Sequence, residues 1–170
     1  MKDVFFKPSK DFYGSMEAEI HWSLFDRDVW ALARKCSEVY ARRCTQHLEN
    51  LPEEMIAKLQ EATLLYLIDF LDEHEDELEL PTGLILDEDT EPEEIMHWVR
   101  PVLITYDKGV LSDEEAPPAI SIKLMFTAVP DEFLEWVIRD NMIVYIGEHD
   151  DVSPWNDKIM KKKWNYINAI

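Results

Sequence analysis

Carboxylates dominate the chemistry this chain has to offer. Between Leu71 and Glu94 stand twelve Asp and Glu side chains and no Lys or Arg, and none occurs anywhere between Lys58 and Arg100. Asp72, Glu73, Glu75, Asp76 and Glu77 run straight on from an apolar periodic segment. Asp87, Glu88, Asp89, Glu91, Glu93 and Glu94 follow after Pro81-Thr82-Gly83. A chain reversal at that Pro-Thr-Gly would set both groups along one edge, and such a patch concentrates cationic partners. Asp87, Asp89 and Glu91 also have the spacing of the first three ligands of an EF-hand. Pro92 then stands where the loop needs Gly and Trp98 where it needs Glu, so the motif fails. Acid pairs at glycosidase separation arise by chance among 36 carboxylates, and nothing distinguishes a general acid from a solvated one.

Other chemistries find little support. His21, His47, His74, His97 and His149 are scattered, with no short-spaced zinc pattern. The four glycines lie far apart, so no phosphate-cradling loop can be built locally. Neither a metal nor a cofactor is expected. Trp98 and Trp155 are candidate anchors for a partner, because Trp is favoured at binding hot spots. Trp136 reads as core. Lys161-Lys162-Lys163 is a short run that offsets the acidic surface.

Net charge narrows the partners. At −19 over 170 residues, the surface repels nucleic-acid phosphates and anionic membranes, and attracts basic proteins. No apolar run is long enough for a membrane helix, and charges at Lys7, Lys10 and Asp11 interrupt any secretory pattern. Cys36 and Cys44 are eight residues apart. In one helix that is about 12 Å, too far for a disulfide, so reduced thiols and a cytoplasmic setting are expected.

The elements that would position these groups come in blocks. Glu17 to Phe25 alternates as a strand, with Val4 to Tyr13 as a possible edge strand before it. Val29, Leu32, Cys36, Tyr40, Cys44 and Leu48 recur at helical spacing, predicting a helix of about five turns with Asp26 and Asp28 at its start. Asn50 and Glu53 resemble a capping box for a second helix reaching His74, so the two helices should form a hairpin. Thr90 would cap a short helix over 91–98. Period-two patterns follow at 102–106, 120–126, 133–139 and 142–147, with Asp140-Asn141 as a hairpin turn. The expectation is one α+β domain over 1–170. Its mainly antiparallel sheet of about five strands would pack against an N-terminal-half helical hairpin, with the acidic stretch 72–94 between hairpin and C-terminal strands.

The run Asp131-Glu132-Phe133-Leu134-Glu135-Trp136-Val137-Ile138-Arg139-Asp140, followed by Ile143-Val144-Tyr145-Ile146-Gly147, resembles the hairpin signature of a small bacterial domain family of unknown function. Arg43 to Leu51, with Glu61-Ala62 and Leu65-Tyr66, resembles its helical segment. The family's acidic bend tends to carry an acid–histidine–glycine run, where this chain has Glu132-Phe133-Leu134. Similar families include immunity proteins that neutralise secreted toxins, and the resemblance implies that role here. The expected function is therefore an acidic cytosolic binding protein, an immunity-type inhibitor of a basic protein such as a nuclease toxin, rather than an enzyme. The alternatives are a scaffold domain whose acidity only aids solubility, and a carboxylate-dependent hydrolase.

Overall fold

A computed structural model describes residues 4–74 and 76–170. Its elements are β1 (Lys7–Pro8), β2 (Met16–Trp22), β3 (Arg27–Arg34), α1 (Glu38–Glu49), α2 (Glu53–Glu73), β4 (Val99–Asp107), β5 (Ala119–Phe126), β6 (Phe133–Arg139) and β7 (Met142–Glu148). The strands form one seven-stranded sheet in chain order. Every neighbouring pair is antiparallel except β3 with β4. The class is α+β, as the block pattern indicated.

The sheet has seven strands rather than about five, and β3 is the main correction. The spacing of Val29, Leu32 and Cys36 suits a helix, but Val29, Ala31 and Ala33 also alternate. Placed between β2 and β4, β3 buries those three against the helices, with Leu32 buried on the other face. The outer face carries the apolar Trp30 and Leu32 as well, so the run Val29–Ala33 has no clean alternation, and that hides the strand from a periodicity reading. Asp26 makes the tight turn between β2 and β3 with φ at 47°, a left-handed conformation that Asp tolerates. The first helix therefore has 12 residues and begins after Ser37, whose hydroxyl accepts the N–H of Tyr40. Cys36 precedes this cap, so the two cysteines do not share a helix. Both are buried free thiols, and burial raises Cys36 to about 12 and Cys44 to about 11.

Two further caps differ from expectation. Asn50 ends α1, donating its amide to the carbonyl of Gln46, and Pro52 precedes α2. Thr90 bonds Asp87 instead of capping, and the short helix is a 3-10 turn over Pro92–His97 after Glu91. Nor do the two helices zip together as a close pair. α1 packs its backbone against β2 and β5, whereas α2 lies along β7, the 3-10 turn Pro92–His97 and the tail's Tyr166–Asn168 turn.

Both helices nevertheless cover the same sheet face. Tyr40, Cys44 and Leu48 of α1 and Met55, Leu59 and Leu67 of α2 join Ile20, Trp22, Ile104, Ile122 and Trp136 in one core. Two pairs of buried polar groups inside it satisfy each other, as a low dielectric favours. The Trp136 indole N–H donates to Thr63 Oγ1 at 2.8 Å, and the hydroxyls of Thr45 and Tyr106 meet at 2.9 Å. On the opposite face a smaller cluster of Val137, Val144, Tyr145, Val152 and Ile159 covers β6 and β7.

The tail also seals the outer edge of β7. Asn165 is fully buried, accepts the N–H of Ile146 at 3.1 Å and donates to the carbonyl of Val144 at 2.8 Å. One side-chain amide thus takes the place of a neighbouring strand. Tyr166 holds the tail to α2 through a bond to Asp69 and an edge contact with Tyr66.

Two outcomes follow for stability. Trp136→Ala should cost about 3–5 kcal/mol from the cavity it leaves, and Thr63→Val about 1–3 kcal/mol from the orphaned indole N–H, both read by urea unfolding. Asn165→Ala should strip protection from the Ile146 amide in hydrogen exchange, while the amides of β5 keep theirs. Unchanged exchange at Ile146 would contradict the edge-sealing role.

Candidate functional site

The acid stretch starts on the last turn of α2. Asp72 and Glu73 are exposed there, and Asp76 and Glu77 are exposed in the turn beyond; Glu75 lies outside the described residues. The chain reverses at Pro81, whose carbonyl accepts the N–H of Leu84, with Gly83 at φ 92°. Leu84 and Leu86 then pack on the core's margin and pin the segment between the acids. Asp87, Glu88, Asp89 and Glu91 follow as exposed groups, and the 3-10 turn after them returns to lie against α2. Asp87 is used locally, since its carboxylate accepts the N–H of Asp89 and the hydroxyl of Thr90.

The Lys and Arg ion pairs of the described residues all lie elsewhere: Lys7 with Glu17, Arg42 with Glu38, Lys58 with Glu54, Lys108 with Asp113, and Arg139 with Asp157. His74, at 3.6 Å from Glu77, is the one titratable base within ion-pair reach of the described tract.

Of the two candidate anchors, Trp98 ends the 3-10 turn, half-buried against the core, with its carbonyl accepting the N–H of Thr127. Trp155 sits elsewhere. Its indole N–H donates to the carbonyl of Asp107 at 2.8 Å, its ring covers Gly109, and Arg139 stacks over it. Trp98 precedes the first residue of β4 and Asp107 is its last, so the length of a nine-residue strand, about 30 Å, separates them. Trp155 is not brought to the acid tract.

Two carboxyls outside the acidic tract, Glu132 and Glu135, are the described ones whose pKa the fold raises. Glu132, at the start of the β6 hairpin, accepts the Tyr66 hydroxyl at 2.8 Å. Burial raises its pKa, with Tyr66 acting in the opposite direction. Glu135 is only 1% exposed. Burial raises it too, against the pull of the Val152 N–H and His149. Its Oε1 accepts the N–H of Val152 at 2.9 Å and its Oε2 meets His149 Nδ1 at 2.9 Å. The carboxylate thereby clamps the loop after β7 onto the back of the sheet. Glu132 faces α2 and Glu135 faces this loop, on opposite sides, so the two raised carboxyls share no pocket. In the sequence, Glu135 is visible as the one charge inside the run Phe133-Leu134-Glu135-Trp136-Val137-Ile138.

These contacts also explain the hairpin signature. Glu135 clamps the loop, Trp136 fills the core, and Tyr145 folds over Gly147 to donate to the carbonyl of Glu148 at 2.8 Å. A Cβ on residue 147 would fall 2.5 Å from the Tyr145 hydroxyl and 2.9 Å from its Cζ, so any other residue there pushes the tip of that ring aside.

The sign of the Glu132 effect is fixed by linkage. A carboxyl raised on folding binds its proton more tightly in the folded state, so its contribution favours folding at low pH and is lost as pH rises through the raised value. Glu132→Gln should therefore gain stability relative to wild type as pH climbs from about 4 to about 7, read by urea unfolding at each pH. An equal difference at both would contradict the burial of this group.

Comparison with curated proteins finds no match, and neither does comparison with solved structures. Comparison with protein families matches residues 7–153 to a domain of unknown function, DUF6985. That span takes in all seven strands and both helices, and it ends in the loop that Glu135 clamps. The chain belongs to the DUF6985 family.

Proposed function

We propose that this protein is a stoichiometric binding protein of the immunity type, which docks a basic partner such as a nuclease toxin in a bacterial cytoplasm. The observation that carries the reading is the exposed surface of the described carboxylates within 72–94, to which no described Lys or Arg is ion-paired. Unneutralised like charge of this density works against the compact state, and a cationic partner relieves it on docking. The same field speeds encounter and makes it salt-dependent. The tract begins and ends on elements packed against the core, which lowers the ordering cost of binding. Trp98, at the end of the tract, supplies an aromatic anchor beside the charges.

The test is recovery of partners on the tagged protein from its native cell extract, washed at low and at high salt. A basic protein held at low salt and released at high salt is expected. Reversing Asp72, Asp76, Asp89 and Glu91 to Lys should weaken that complex by at least about 100-fold and flatten its salt dependence. A partner retained equally at both salts and indifferent to the reversals would overturn the assignment.

A further inference from the structure

The two edges of the sheet are finished differently. Asn165 seals the edge of β7. At the other end, β1 pairs with β2 only through Lys7 with Glu17 and Pro8 with Met16. Among the described residues, Ala18 to Trp22 pair with β3 alone. Alternate N–H and C=O groups of that stretch therefore face outward, as in any edge strand.

A groove of about 970 Å³ runs along this edge. Val4 and Phe5 form its outer wall, and Phe5 is 82% exposed. Trp30 lies in its floor, 39% exposed. Its far end is closed where Glu49 of α1 accepts both the hydroxyl of Ser23 at 2.6 Å and its N–H at 3.3 Å. Between β1 and that clamp, Ala18 to Trp22 offer a stretch of about 16 Å, the length of a five-residue strand. The wall charges favour one sign. Glu19 and Asp28 are exposed in the groove, while Lys7 is taken up by Glu17 at 3.6 Å. His21 stands between Asp28 at 3.0 Å and Asp26 at 3.5 Å.

We propose that this edge receives an extended, lysine- or arginine-bearing segment of a partner protein as an added strand outside β2. Main-chain bonds to Ala18–Trp22 supply affinity. Alternate side chains set specificity, with basic ones on the face that Glu19, Asp28 and Trp30 share and apolar ones on the opposite face, that of Ala18, Ile20 and Trp22. This surface is separate from the acid tract and does not depend on it.

The probe is a fluorescein-labelled heptapeptide alternating valine and lysine, read by anisotropy and by amide chemical-shift changes on the full chain. Shifts confined to Ala18–Trp22 and their neighbours are expected. N-methylation of alternate peptide amides should weaken binding at least about tenfold, because it removes the ladder bonds. Glu19→Lys combined with Asp28→Lys should weaken it about tenfold, while Asp72→Lys with Asp89→Lys should change it less than about threefold. Shifts at 72–94 instead, equal binding of the N-methylated peptide, or absence of binding would each overturn the proposal. So would a concentration-dependent dimer protecting Ala18–Trp22, which would assign the edge to a second copy.

Discussion

The parallel pairing of β3 with β4 is the constraint on which the rest of this molecule depends. An antiparallel neighbour needs only a tight turn, but a parallel one needs a crossover of a dozen residues or more. Here the crossover runs from Lys35 to Trp98 and holds α1, α2, the acid stretch and the 3-10 turn. All the helical cover therefore falls on one face. The opposite face is left to Leu103, Lys123, Met125 and Phe133, with only the C-terminal residues shielding its β6–β7 side. The acid stretch is the exposed return leg of that crossover, which is why it can carry so much charge while burying none of its described carboxylates.

Within this frame, specificity comes from a few buried polar groups. Thr63 with Trp136 fixes α2 over β6, and Thr45 with Tyr106 fixes α1 over β4. Glu135 fixes the loop beyond β7, and Asn165 fixes the tail. Each would be costly if left unpaired, so each selects one register of helix, strand or loop against its neighbours. Arg43 Nε is the one buried side-chain nitrogen or oxygen without a partner among the described residues.

Local pattern made most of the strands legible. Ile120, Ile122, Leu124 and Phe126 alternate because β5 has one face on the core and one toward solvent. Asp140-Asn141 reads as a turn, and Asp140 indeed takes φ at 52°. α2 declares itself by its length and wide apolar face. β3 does not, because Val29, Leu32 and Cys36 satisfy a helical period and a central strand blurs the period of two. The acid stretch was visible as composition, and its exposure follows from that. The clamp at Glu135 and the edge seal at Asn165 could not be read, since both join residues whose meeting depends on register and on the path of the tail. Trp155, a candidate anchor by residue type, instead donates its indole N–H to the carbonyl of Asp107 at the far end of β4.

The sealed edge of β7 also sets a valence for the sheet. Strand-by-strand growth into a ribbon or fibre requires each unit to offer two open edges, one to donate and one to receive. With Asn165 filling one of them, a unit of this kind has a single open side, and any growth through that side ends after one addition. The amide of one residue makes the sheet a terminus instead of a link.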